Sequence, residues 1–377
     1  MIAPTLAGQG VRLRALALRD VDELVAGYAD PVMQRFMPPL PVPFTPAQAR
    51  EYVTDVAPGL FADGGGLWGI ADPASDRLLG GIGLDKVVPH RGQCEIGYWI
   101  GPWARGRGLA SAAVRTLTEH AFRTGMARIE LLTHWENAAS QRVALATGFQ
   151  REGVRRAVLP NRDGGRDDLL AYARLVDDDP GPIERPLPDL PGGELTDGVV
   201  TLRPLGPADL AFYTELSCLP DVVATRVPPA PISRESLARR CAWAPAHWLA
   251  GDRADLVIRD AATGEPAGEI GLYYQEPPTG QAMIGYSMLP AWRGRGFPTR
   301  AARLVSSWAF AETGIARLIA GALPTNLGSQ RVLEKAGFKR EAYLRSRLPG
   351  TDGRRSDDVQ YALLAEDLLA DVVRLDG

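Results

Sequence analysis

The sequence predicts an α+β (mixed α/β) fold built twice, as two tandem domains that each carry a mixed central sheet flanked by helices. Three observations predict it. The chain has 377 residues, more than one domain usually holds. A strand–turn–helix unit recurs: Ile96-Gly97-Tyr98 leads to Arg105-Gly106-Arg107-Gly108-Leu109-Ala110, and Ile284-Gly285-Tyr286 leads to Arg293-Gly294-Arg295-Gly296-Phe297-Pro298. Around each copy, apolar residues recur with period 2 in some stretches and with helical period in others.

The first copy reads as follows. Val11–Leu16 alternates as a strand. Asp20 is an N-cap for a helix reaching about Tyr28. Thr45-Pro46 is an N-cap with proline at the first helical position, which starts a second helix. Leu67–Ala71, Leu78–Leu84 and Cys94–Ile100 are successive strands. Leu109–Thr124 is an amphipathic helix with Ala110, Ala113, Val114, Leu117 and Ala121 on one face. Arg128–Thr133 is a strand, Asn137 caps a short helix ending before Gly148, and two strands near Gly153–Leu159 and Asp168–Leu175 finish the unit. Val200-Thr201-Leu202-Arg203, Ala316-Arg317-Leu318 and Gly337-Phe338 repeat Val11-Arg12-Leu13-Arg14, Ala127-Arg128-Ile129 and Gly148-Phe149. The expected boundaries are a first domain over 1–176, a Pro/Gly-rich linker over 177–195 and a second domain over 196–377.

Composition excludes several classes. Net charge is −3 and nearly balanced in both halves, so nucleic acid is not an expected partner. No apolar run is long enough to span a membrane. Three cysteines without a C-x-x-C pair, and no basic-then-apolar leader, fit a reducing cytoplasm. The four histidines lack ligand spacing, so no metal site is expected.

The repeated turn carries the chemistry. A glycine-rich basic turn opening a helix presents unpaired N–H groups to an anion. A dinucleotide fingerprint would need a third glycine where Ser111 and Thr299 stand, and no G-K-[ST] follows. Pyrophosphate binding at Arg105, Gly106, Arg107, Gly108, Leu109 and Ala110, and again at Arg293, Gly294, Arg295, Gly296 and Phe297, is the expectation, set against a tight turn with solvated arginines.

Arg105-x-x-Gly108-x-Ala110 resembles the acyl-CoA pyrophosphate loop of the GNAT N-acetyltransferase superfamily. Glu95-Ile96-Gly97-Tyr98-Trp99, Asn137-x-x-Ser140 and Gly148-Phe149 are similar to the branch containing ribosomal-protein-alanine acetyltransferases, and Asn326-x-x-Ser329 repeats Asn137-x-x-Ser140. The resemblance implies two tandem GNAT domains, acetyl-CoA as co-substrate, and parallel strands that splay apart for the pantetheine arm. It implies that Asn137 and Asn326 touch that arm, besides capping helices. It implies that Ser140 and Ser329 protonate the departing thiolate. The glycine-rich strand Leu79–Leu84 is expected to bulge, with a backbone N–H near it polarising the thioester carbonyl.

Glu95, a carboxylate inside an apolar strand, is either the base for the acceptor amine or a structural partner of an arginine. His134 is a weaker base candidate with a surface position as its default, and Asp168 and Asp357 read as structural. The second copy has Met283 at the Glu95 position and Pro298, which removes one N–H from the turn, so the first domain is expected to dominate catalysis. The expected activity is acetyl transfer to a primary amine by direct attack, on a small amine or aminated metabolite. Alternatives are acetylation of a peptide N-terminus and a non-catalytic acyl-CoA-binding or scaffold role. A homodimer is left open.

Overall fold

In the computed structural model the described residues are 4–37, 40–62, 64–350 and 353–368. The chain divides into two compact units, Met1–Glu184 and Arg185–Gly377. Residues 187–196 pack on the second unit. Leu187 and Leu190 join its core, and the Trp248 indole N–H donates to the Pro188 carbonyl at 2.9 Å.

In the first unit, β1 (Leu6–Gly8) and β2 (Val11–Arg14) form a hairpin. Helix α1 (Val21–Tyr28) follows, then α2 (Pro31–Phe36), a helix the sequence reading omitted. Asp30 caps α2 by accepting from the Met33 N–H at 3.0 Å, and Pro31 fills its first position. Thr45 and Gln48 form a capping box on α3 (Pro46–Glu51), which continues through a π-helical turn, Tyr52–Val56, into α4 (Ala57–Ala62). The strands β3 (Gly66–Ala71), β4 (Leu78–Val88) and β5 (Gln93–Ile100) form an antiparallel meander. Helix α5 (Leu109–Arg123) crosses over to β6 (Arg128–His134), and α6 (Ala138–Ala146), β7 (Gln150–Pro160) and β8 (Arg166–Leu175) complete the unit. The sheet order is β1-β2-β3-β4-β5-β6-β8-β7.

The apolar stripe of α5 explains its seat. Ala113, Val114, Leu117 and Ala121 are buried, as are Ile70, Ile82, Ile96 and Ile129 of the sheet. The other face of the sheet is covered by α1, α2 and α3, where Leu24, Tyr28, Met33, Phe44 and Ala49 cluster with Leu78 and Trp99. A buried ion pair fixes the start of this cover. Arg14 meets Asp20 at 2.7 Å with both side chains under a tenth exposed.

The second unit repeats the plan. It contains β9 (Leu195–Thr196), β10 (Val200–Pro204), α7 (Leu210–Ser217), α8 (Pro220–Thr225) and α9 (Arg234–Ala250). Next come β11 (Arg253–Asp260), β12 (Pro266–Glu276), β13 (Gln281–Met288) and α10 (Phe297–Glu312). It closes with β14 (Arg317–Ala322), α11 (Leu327–Lys335), β15 (Lys339–Pro349) and β16 (Arg355–Leu364). Its sheet order is the same, β9-β10-β11-β12-β13-β14-β16-β15 read from the other edge.

One feature of each sheet positions the site. The parallel pair β5/β6 is hydrogen-bonded only at Gln93–Glu95 opposite Arg128–Glu130, although β5 runs on to Ile100 and β6 to His134. Beyond Glu95 the strands part. In the second unit, β13 and β14 pair only from Gln281 to Met283. Backbone groups past each apex lose their ladder partner and are available to a strand-like ligand.

Candidate active site

A cavity of about 760 Å³ occupies the opening between β5 and β6 of the first unit. The Arg105–Ala110 turn forms its rim, and Glu95, Tyr98, His134, Asn137 and Ser140 line it. All of these are site residues expected from the sequence, Tyr98 only as part of a motif.

Local geometry explains the turn. Gly106 and Gly108 sit at φ 75° and 74°, in the left-handed region that costs a side-chain-bearing residue about 1–2 kcal/mol. A Cβ on either would meet no atom within 4 Å, so this backbone faces open space. The first intrahelical bond of α5 runs from the Ala112 N–H to the Gly108 carbonyl at 3.1 Å. The N–H groups of Leu109, Ala110 and Ser111 precede it and lack intrahelical acceptors, which suits the pyrophosphate of a CoA ligand. The Arg105 side chain does not stand free. It donates to the Ile100 carbonyl at 3.2 Å and pairs with Asp30 at 2.5 Å, tying the turn to the cap of α2. Arg105 and Arg107 are both exposed.

Asn137 caps α6 through its side-chain oxygen, which accepts from the Ser140 N–H at 3.1 Å. The cap uses only that oxygen, so the amide NH2 is a separate donor. Ser140 shares a hydrogen bond with the Tyr98 hydroxyl, Oγ to Oη 2.9 Å. Burial pushes the Tyr98 phenol well above its ordinary value, so the hydroxyl stays protonated and can donate a hydrogen bond. The second unit keeps this pair: Tyr286 and Ser329 are 2.9 Å apart, with Asn326 as cap. That repetition was the signal that could have marked Tyr98 from sequence.

Glu95 is the last residue paired at the strand apex. Burial raises its carboxyl above the ordinary value, while Lys86, whose Nζ lies 2.8 Å from Oε2, works against the rise. Its partner is thus a lysine, where the sequence reading weighed an arginine. His134 is not on the surface. It is nine-tenths buried, its ring lies 5.4 Å from that of Phe36, and burial lowers its pKa. Its Nδ1 lies 3.8 Å from Asp167, and its buried Nε2 has no hydrogen-bond partner among the described residues.

The glycine-rich strand departs from expectation in one respect. β4 is paired on both sides, with β3 and β5, so its backbone is not the one left open to a ligand. Gly80 and Gly81 are required because a Cβ there would come within 2.2 Å of the Trp99 carbonyl and 2.5 Å of its indole nitrogen. The open backbone belongs to β5. Asp168 and Asp357 accept from the Ala157 and Ser346 N–H groups at 2.6 and 2.7 Å, each beside a left-handed residue in a bulge.

The second unit differs on the sheet face that carries Gly81 and Trp99 in the first. The cross-strand pair Gly81–Trp99 becomes Glu269–Ser287, and Leu67 and Asp85 give way to Asp255 and Tyr273. Arg240 of α9 enters this space, 2.9 Å from Asp255 and 3.1 Å from the Tyr273 hydroxyl, and Arg253 pairs with Asp255 at 2.7 Å. Burial raises the Glu269 carboxyl, opposed by Arg240. Met283 and Leu323 stand at the Glu95 and His134 positions. The turn survives, with Gly294 and Gly296 at φ 75° and 81°, Arg293 on the Met288 carbonyl and Asp221, and Arg295 4.9 Å above Trp292. No cluster of metal-ligating residues occurs among the described residues.

A splayed parallel pair, an open turn before the following helix and a hydroxyl pair beside the gap suit an acyl-CoA-binding transferase site. The model of the acetyltransferase (GNAT) domain matches the chain twice, over residues 11–150 and 200–339, and the chain belongs to that family. It is therefore an acetyl-CoA-dependent N-acetyltransferase. It is 30% identical over 175 residues to the uncharacterised N-acetyltransferase p20 of Bacillus licheniformis, covering 46% of this chain and 92% of that protein. It is 34% identical over 104 residues to the ribosomal-protein-serine acetyltransferase of Escherichia coli, covering 27% of this chain and 57% of that protein. Among solved structures, RimJ of Mycobacterium smegmatis in complex with CoA-disulfide is 24% identical, with a TM-score of 0.42 over 48% of this chain and 93% of that one.

Proposed function

We propose that the first unit transfers acetyl from acetyl-CoA to the primary amine of a small molecule, and that the second unit keeps a donor site without an acceptor site. The observation that carries this reading is the contrast at equivalent positions. Glu95, His134, Gly81 and Leu67 line a cavity in the first unit, whereas Met283, Leu323, Glu269 and Asp255 replace them in the second, with Arg240 inserted.

The donor, when bound, supplies an acetyl thioester. The N–H groups of residues 109–111 hold its phosphates, and the open edge of β5 and the Asn137 amide orient its arm. Glu95 accepts the proton of the attacking amine, and the Tyr98–Ser140 pair returns one to the thiolate. The apolar walls contributed by Tyr28, Met33, Phe36, Tyr52 and Leu159 favour an acceptor with a compact apolar body, in a cavity of small-molecule size. The relative named for ribosomal-protein serine acetylation supports a second reading, a peptide N-terminus as acceptor. A reducing cytoplasm is part of the proposal, in keeping with three free thiols. Among the described residues no helix is long and apolar enough to cross a membrane.

A panel of amines offered to the intact protein with acetyl-CoA tests this. Arylalkylamines and short apolar amines should turn over faster than polyamines, aminoglycosides and ribosomal N-terminal peptides. Preference for the peptides would replace the first reading with the second. Absence of turnover across the panel would contradict both.

A further inference from the structure

We propose that Lys86 is an internal acetyl acceptor, so that the first unit acetylates itself at this side chain. The proposal rests on Glu95 as proton acceptor and goes beyond it by naming a nucleophile already in place.

The backbone is what brings Lys86 there. In a regular strand Asp85 and Lys86 would point to opposite faces. Asp85 pairs with Glu95 across β4 and β5, and the register then shifts before Val88 pairs with Gln93. Lys86 sits in this bulge at φ 47°, a left-handed conformation that is uncommon for a residue with a side chain. The bulge turns Lys86 back toward the neighbouring strand. Its Nζ reaches 2.8 Å from Glu95 Oε2, and the residue lines the same cavity as Tyr98, Asn137 and Ser140. An acceptor nitrogen must lie within hydrogen-bond reach of the base that takes its proton, and Lys86 meets that requirement without any ligand. The second unit has Tyr274 and Met283 at these two positions, so the amine and the carboxylate are absent together there.

The step balances. The Lys86 ammonium gives a proton to Glu95, and Nζ attacks the acetyl carbonyl carbon. An N–C bond forms and the C–S bond breaks. Of the two protons the ammonium loses, one ends on the CoA thiol by way of the Tyr98–Ser140 pair, and the other passes through Glu95 to water. The product is an Nε-acetyl-lysine, which is neutral and no longer forms an ion pair with Glu95. Self-acetylation thus frees the carboxylate for an external amine.

The chain supplies its own controls, because its only other lysines are Lys335 and Lys339, both exposed in the second unit. The full chain, first stripped by a deacetylase, is incubated with acetyl-CoA, and each lysine is followed by peptide mass spectrometry. Lys86 should gain acetyl at least about tenfold faster than Lys335 and Lys339, at a rate independent of protein concentration. Glu95→Gln should slow it at least about tenfold, and Gly108→Val should bring it down to the rate of the other two lysines. Excess CoA added to the unaltered protein should slow Lys86 alone, which keeps the test decisive if Gly108→Val fails to fold. Acetylation of Lys86 no faster than of Lys335 and Lys339, or undiminished by excess CoA, would overturn the proposal. If Lys86 stays unmodified while Glu95→Gln still abolishes turnover of an external amine, self-acetylation fails and the role of Glu95 stands. If Lys86 is acetylated at full rate in Glu95→Gln, the role of Glu95 fails and the proposal, which rests on it, fails too.

Discussion

Replacing Pro298 with alanine should tighten CoA binding by the second unit. Both turns have the same left-handed glycine before the helix, Gly108 and Gly296. In α10 the first intrahelical bond is from the Arg300 N–H to the Gly296 carbonyl at 3.2 Å, so positions 297, 298 and 299 are where this turn can present free N–H groups. Pro298 offers none, whereas its counterpart Ala110 does. A hydrogen bond to a charged group contributes about 1.5–3 kcal/mol. At about 1.4 kcal/mol per factor of ten, the restored donor should lower Kd by about 10- to 150-fold. Losing the proline also loosens the unfolded chain, which lowers folding stability by about 0.4–1 kcal/mol but leaves the contact itself unaffected. The assay is calorimetric titration of CoA into the full chain carrying Gly108→Val, so that the second turn alone is read. An unchanged Kd in a folded Pro298→Ala protein would refute the reasoning, because it would mean that the N–H at this position does not face the phosphates.

Two further outcomes follow from buried charge. Asp20→Ala should lower the stability of the first unit by about 1.5–3 kcal/mol, since it removes the buried carboxylate from the Arg14 guanidinium, which keeps Asp76 as a partner at 2.8 Å; scanning calorimetry of the full chain reads this as a loss confined to one of two transitions. His134 has a pKa lowered below the ordinary 6.5 by burial, so as pH falls the unfolded chain takes the proton first and stability is lost through 6.5. His134→Gln should flatten that acid-side decline in the first transition, and an unchanged slope would show that the imidazole is not buried in its neutral form.

Much of the fold was legible because the chain repeats itself. The turn could be read from Gly106 and Gly108, whose left-handed backbone no ordinary residue adopts cheaply, and from the helix pattern after it. Asn137 and Asn326 were legible as caps, since an asparagine three residues before a serine is a local signal that needs no tertiary contact. Asp30-Pro31 carries the same kind of signal as Thr45-Pro46, and both helices are six residues long, but α3 runs on through Tyr52–Val56 into α4 whereas α2 ends at Phe36. What stayed hidden depends on contacts far apart in sequence. The buried position of His134 requires Phe36 to lie against it. The Lys86–Glu95 pair requires a bulge that period-2 alternation does not reveal. Arg240 belongs to a helix whose pattern gives no hint that its guanidinium enters the sheet face at Asp255.

The unequal roles of the two units are tested most directly by paired single substitutions in the turns. Acetylation of the best amine from the panel is measured at saturating amine for Gly108→Val and, separately, for Gly296→Val, with circular dichroism confirming that both proteins fold. Each valine strains a left-handed position and fills the open space above the turn. If the first unit carries the reaction, Gly108→Val should abolish most turnover while Gly296→Val leaves most of it. Loss of turnover in Gly296→Val with activity retained in Gly108→Val would contradict the account and assign catalysis to the second unit.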